Sequence, residues 1–297
     1  MIVIDNIRKF NNILKWGRNP DHVVDLLFKD LDLDLLHLSK LYANTSLKVR
    51  NIIFHNCSIT REEYLKESNI KVLKSLVISN CRFEKCNITI WGTPGHSDDG
   101  DNRKISVIDS TFCESCALTV HVTNALFYAQ GSNFGTELII GSSFSKAVLV
   151  NSKVRNLRIL SSSKPITDDS LFISNFEVDV VKFGTKALFQ GVNKNTNVVK
   201  NFLIHRKDAP NVFVELAEFK DSDLSGIVFS DTFTFVNSRF IGCNVEYLDI
   251  SNFEKYSKFG FKNCLGIEYL ITGDEQELET FDDGEVFVEV PNAYRRM

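Results

Sequence analysis

The sequence predicts a mainly β protein, a parallel-stranded solenoid with a small α-helical cap at its N-terminus. Three observations carry this reading. "NCRFEKCNI" at 80–88 returns as "NSRFIGCNV" at 237–245. Around such stretches apolar residues recur every five positions with a small residue two before each: Phe83 and Ile88 follow Cys81 and Cys86, and Phe134, Ile139, Phe144, Leu149 and Val154 continue the step. Phe219, Phe240 and Phe261 are spaced by 21 residues, a period in the solenoid range. A step of five fits neither the 3.6 of a helix nor the simple alternation of a strand. One such coil cannot bury its inward side chains alone, so coils must stack about 4.8 Å apart with inner Phe and Leu in columns. Small residues let each coil turn its corner, and the 24 phenylalanines fill the columns.

Residues 1–46 differ and predict the helical cap. Ile4, Ile7, Ile13 and Leu14 lie near one helical face, "NPDHVVDLLF" reads as a second helix with Asn19 as N-cap and Pro20 in its first turn, and "LDLLHLSKLY" as a third. A cap is needed because the open edge of a first coil would template aggregation. The solenoid is expected over 47–273, with insertions at 92–102, 161–170 and 184–211 leaving as flanking loops. Residues 274–297 predict an acidic hairpin: Asp274 to Glu289 holds eight acidic residues and no basic one, and Asp283-Gly284 is a hairpin turn signal.

Composition narrows the function. A chain of 297 residues that is 43% hydrophobic supports a large core. With a formal charge of −4 it carries no global basic field, so direct nucleic-acid binding is not expected. The N-terminus breaks its apolar residues with charges and fits neither a signal peptide nor a membrane span. A cytoplasmic protein without a membrane partner is expected, and seven scattered cysteines fit reduced thiols there.

Few residues carry chemistry. Cys81, Cys86, Cys113 and Cys116 have a spacing that could hold tetrahedral zinc. Cys57, Cys81, Cys86, Cys116 and Cys243, however, all precede an apolar residue by two, the slot that Ser and Ala fill elsewhere, so stacked small residues explain more of the cysteines than zinc does. His96, Asp98, Asp99 and Asp101 crowd one loop that could bind a cation or a glycan, while Glu275, Glu277, Glu279, Asp282, Asp283 and Glu285 form an acidic dock for a basic partner or a charged cap against end-to-end stacking. Asp168, Asp169, His121 and His205 show no partners in the sequence and read as solvated or satisfied side chains. No phosphate-cradling glycine loop, nucleophile elbow or H-E-x-x-H is present, so neither catalysis nor a cofactor is expected.

The repeat residues resemble the pentapeptide-repeat family, well over 132–154 and 217–253 and in part over 52–90 and 108–122. The resemblance implies a right-handed quadrilateral β-helix. The many β-branched residues, and the extra residue in "STFCESCAL", suit a less regular right-handed parallel β-helix equally. The function expected is a non-catalytic protein-interaction module. Low-complexity Asn, Lys, Ile and Phe usage suits an AT-rich bacterial or phage genome, and with it a role as inhibitor or defence component in phage and host conflict. The terminal hairpin could pair two copies into a homodimer. Two alternatives stand beside this. Some family members resemble duplex DNA and occupy topoisomerases, but a rod of roughly 45–50 Å would need about 26–29 charges at one per ~1.7 Å. A carbohydrate-active β-helix enzyme, lyase or hydrolase, is the other.

Overall fold

The computed structural model describes the chain apart from residues 17–22, 45–46, 61–66, 93–102, 123, 142–143, 161–164, 185–186, 216, 231, 237, 252–257, 272–276, 281–284 and 290–297. The fold is mainly β, a parallel stacked solenoid with few helices. The chain divides into two compact units, residues 1–157 with 174–178, and residues 158–173 with 179–297. Among the described residues no helix is long and apolar enough to cross a membrane.

In the first unit a front sheet runs through Ile2–Ile4, Val23–Lys29, Lys48–His55, Ser75–Ser79, Arg103–Ile108, Ala125–Gln130 and Lys146–Ile159, every neighbouring pair parallel. A back sheet stacks Glu67–Val72, Asn87–Gly92, Ala117–His121 and Glu137–Ile140. Short strands Asp32–Asp34, Ser58–Thr60, Arg82–Phe83 and Thr111–Phe112 make a third side. Register turns the strand alternation into inner columns: Phe28, Phe54, Ile78, Val107, Ala129 and Leu149 form one, and Leu33, Ile59, Phe83 and Phe112 another, all buried. The Phe83 and Phe112 rings stack at 4.2 Å.

The corners explain the small slots. Asn56, Asn80, Asp109, Gly131 and Asn151 all take positive φ, between +46° and +61°, a region that Asn, Asp and Gly tolerate best. Each is followed by a small inward residue whose N–H would be orphaned by the turn. The next coil satisfies it: Cys57 N donates to Cys81 Sγ (3.4 Å), Cys81 N to Ser110 Oγ (3.1 Å), Ser110 N to Ser132 Oγ (3.2 Å) and Ser132 N to Ser152 Oγ (3.1 Å). Outside the corner Asn80 Nδ2 donates to Asn56 Oδ1 and Asn56 Nδ2 to Asp30 Oδ1, a second ladder along the stack. A Cβ on Gly131 would press on the Asp109 carboxylate, so a side chain there would displace Asp109.

Three expectations need correction. Val23–Lys29 is a strand, not a helix: "VVDLLF" alternates, Leu26 and Phe28 point inward, and pairing to Lys48–His55 overrides helix propensity. The solenoid ladder therefore begins inside the first 46 residues, and Ile4 lies on a strand. Ile139 is not in a column, because the Glu137–Ile140 strand alternates and buries Leu138 and Ile140 instead. The step of five holds at corners and yields to the step of two along strands. Helix α1, Ile7–Trp16, buries Phe10 and Ile13. Helix α2, Leu35–Ala43, occupies the position expected for the third helix and packs on Glu67–Val72, the edge strand of the back sheet. Asp34 caps it, its side chain accepting from Leu36 N (2.7 Å).

In the second unit Leu171–Phe183, Asn211–Glu215 and Phe233–Val236 pair in parallel, as do Leu188–Gln190, Glu218–Lys220, Ser238–Ile241 and Lys258–Lys262. The 21-residue phenylalanines face one another across these ladders, Phe219 on Phe240 at 5.2 Å and Phe240 on Phe261 at 4.8 Å, with interplanar angles of 9° and 6°. The stretch 184–211 contributes Leu188–Gln190 and a π-helical turn, Val199–Leu203, whose Val199, Phe202 and Leu203 are buried, so part of this expected insertion belongs to the core. Glu285–Glu289 pairs antiparallel with Lys258–Lys262, and Glu277–Thr280 pairs outside it.

Candidate interaction surfaces

The residues singled out in the sequence fall into three groups. His96, Asp98, Asp99, Asp101, Glu275, Asp282 and Asp283 lie outside the described residues. Glu277 and Glu279 sit on the outermost strand of the terminal hairpin, and Glu285 on its inner strand, in register with Lys262. Of the remaining candidates, Asp168 and His121 have side-chain partners, and His205 N donates to Val228 O (3.0 Å). Asp168 Oδ1 accepts from Asn197 N (2.5 Å) and so ties two segments of the second unit. His121 stacks on Trp91 at 4.8 Å, and burial holds its pKa below the usual imidazole range.

Three of the four cysteines weighed for zinc, Cys81, Cys86 and Cys116, belong to corner ladders. Cys81 accepts from Cys57 N, and Cys86 N donates to Cys116 Sγ (3.3 Å), an arrangement that serine reproduces at 110, 132 and 152. The S–H shared between neighbouring sulfurs, ahead of burial, pushes the Cys81 and Cys86 thiols up and draws their partners Cys57 and Cys116 down. Burial also raises Cys113. Among the described residues no group of three or more His, Cys, Asp or Glu side chains is placed to hold a metal ion.

What the sequence did not single out is the outward side of the front sheet. Strand register places Leu27, Ile53, Val77, Ser106, Tyr128 and Val148 in one row across six strands, and apart from Ser106, which is buried, each is partly exposed. Leu126 lies in the row on one side and Ile108 and Val150 in the row on the other. Lys29, Lys104 and Lys146 stand among these flanks, exposed, and the Asp25 carboxylate is taken up by Arg50, whose Nη2 lies 2.6 Å from it. That guanidinium holds the Asp25 pKa down at about 2. The back sheet of the same unit supplies the contrast, since its corresponding outward row is Asn69, Thr89, Thr119 and Ile139. The signal was present in the runs "LLF", "IIF", "LVI", "LFYA" and "VLV". Strands apolar on consecutive positions are those covered on both faces, whereas three of the four back-sheet strands put Asn69, Thr89 and Thr119 on the outward side.

Comparison of the chain with models of protein families, with curated proteins and with solved structures finds no match.

Proposed function

We propose that the protein is a non-catalytic interaction module, a β-solenoid that binds and modulates a partner protein through the outward face of its front sheet. The observation that carries this is the row Leu27, Ile53, Val77, Tyr128 and Val148, apolar but for the buried Ser106 in its middle, where the back-sheet row is Asn69, Thr89 and Thr119 before it ends on Ile139. An outward apolar row rimmed by charge is how interaction sites on soluble proteins are built. The lysines on its border oppose the duplex-mimic alternative, whose surface would have to be anionic. The coil proposed is a degenerate pentapeptide-type turn, supported by the small inward residues at each corner, and its setting is the cytoplasm.

The test is capture of partners by the tagged full chain, with nuclease present, compared with the Ile53→Glu/Val77→Glu variant. The expected result is a stoichiometric, nuclease-resistant protein that the variant loses while keeping the wild-type melting curve. A natively melting variant that retains every captured protein would overturn the assignment of the face. If the cover is instead a second copy of the chain, sedimentation will show a concentration-dependent mass that the variant lacks.

A further inference from the structure

The second unit carries a different surface, marked by backbone strain. Three successive coils are matched by hydrogen bonds from Gly226 N to Glu246 O (2.8 Å), Leu224 N to Asn244 O (2.9 Å) and Val245 N to Leu265 O (2.9 Å). In that alignment Gly226, at φ +61°, corresponds to Tyr247, at φ +56°. Among the described residues eleven non-glycine positions have positive φ, of which nine are Asn or Asp; the others are Lys85 and Tyr247. A bulky aromatic side chain is poorly suited to this conformation, and its presence where the preceding coil has glycine marks a site where the side chain itself is needed. It is not needed for the core, because Tyr247 is 54% exposed.

The next coil completes the site. It inserts one residue as a 3-10 turn, Ile267–Tyr269, which brings Tyr269 beside Tyr247 with ring centroids 5.4 Å apart. Tyr269 is 48% exposed, and Val228, Leu265 and Ile271 add exposed apolar surface on the same coils. The three stretches 222–230, 243–251 and 263–271 hold four carboxylates and no Lys, Arg or His. Asp223 and Asp249 are spent on their own turns, accepting from Ser225 and Ser251. Glu246 and Glu268 each precede a tyrosine in the repeated "EYL".

We infer that Tyr247 and Tyr269, with Glu246 and Glu268, form a docking site for an arginine-bearing segment of a partner protein. The inference rests on the interaction reading and adds the chemistry of what is bound. Charge selects a cation, and the paired rings select between the two cationic side chains. A guanidinium stacks flat on an aromatic ring while its fork meets a carboxylate, whereas an ammonium is a compact, strongly hydrated point charge.

The experiment uses the full chain and fluorescein-labelled octa-arginine, with octa-lysine as comparator, followed by anisotropy at about 0.15 M salt. Wild type is expected to hold octa-arginine at least about tenfold more tightly than octa-lysine. Tyr247→Gly is the informative variant because Gly226 already occupies the same backbone conformation one coil earlier, so this protein should fold and melt no lower than wild type while binding octa-arginine at least about tenfold more weakly. Glu246→Gln/Glu268→Gln should weaken binding in the same direction. Equal affinity for the two peptides, or an unchanged affinity in Tyr247→Gly, overturns the proposal. The peptide assay needs no native partner, so its failure removes the arginine site alone, while the interaction reading stands or falls on the front-sheet variant.

Discussion

Phe240 is the sharpest test of the stacked-coil architecture. Its side chain is fully buried, with the Phe219 ring 5.2 Å away on one side and the Phe261 ring 4.8 Å away on the other. Truncation to alanine removes a buried aromatic, worth about 3–5 kcal/mol with the cavity it leaves, and breaks two ring stacks worth roughly 0.5–1.5 kcal/mol each. The expected loss is about 4–8 kcal/mol, a large part of the ~5–15 kcal/mol that holds a domain folded. Phe240→Leu keeps most of the volume and loses only the stacks, so it should cost about 1–3 kcal/mol. Phe213, whose ring is 43% exposed, is the control, and its alanine variant should stay within about 1 kcal/mol of wild type. Equilibrium urea unfolding followed by far-ultraviolet circular dichroism gives the differences, read as midpoint shifts at constant m-value. A Phe240→Ala loss below about 2 kcal/mol, or one equal to that of Phe213→Ala, would refute the column. Phe240→Asp, which sets an unpaired charge between the Phe219 and Phe261 rings, should fail to fold in soluble form.

Cys81→Ser should change stability by less than about 1 kcal/mol, because serine makes the same corner bonds at 110, 132 and 152, whereas Cys81→Leu should overpack the corner at about 1–3 kcal/mol; equal costs in urea melts would refute the small-slot account. His121 should titrate below 6.5, because burial disfavours its charged form, and Trp91 fluorescence is the reporter. The native state then binds fewer protons than the unfolded chain, so the stability His121 contributes is complete above about 6.5 and declines as pH falls below it; a fluorescence midpoint above 6.5, or one that survives His121→Gln, contradicts this. Arg50→Gln should raise the Asp25 pKa from about 2 toward the ordinary carboxylate range in an NMR titration. The stabilisation from a depressed Asp25 is present above its ordinary value of 3.8 and is lost as pH falls toward 2, so an Asp25 titration unmoved by the substitution would refute the ion pair.

The parts of this fold legible in the sequence are those where one residue type repeats at one job. Phe219, Phe240 and Phe261 announce their column because each coil between them has the same length. Coils of the first unit differ in length, as the steps from Phe54 to Ile78 and on to Val107 show, so no fixed period reveals that column. Val23–Lys29 misleads because a strand with Leu26 and Phe28 inward also satisfies a loose helical spacing, and only the partner strand decides between them. The asparagine corners were visible as "HNC" and "SNC", yet the cysteine drew attention while the positive φ lay one residue earlier. The front-sheet face stayed hidden for a different reason. Each of its apolar residues sits on a separate strand, at least 20 residues from the next, and only register collects them into a surface. Tyr247 could not be recognised as strained without its backbone angle.

The corner ladder also has a direction in time. Every donor in it is the earlier residue and every acceptor the later one, from Cys57 through Cys81, Ser110 and Ser132 to Ser152. During synthesis a finished coil keeps one buried N–H open until the next 20 to 29 residues arrive. At about 5–20 residues per second that interval is roughly 1–6 s per coil. The growing tip of the nascent chain is thus always the unsatisfied end, and each new coil completes the one before it.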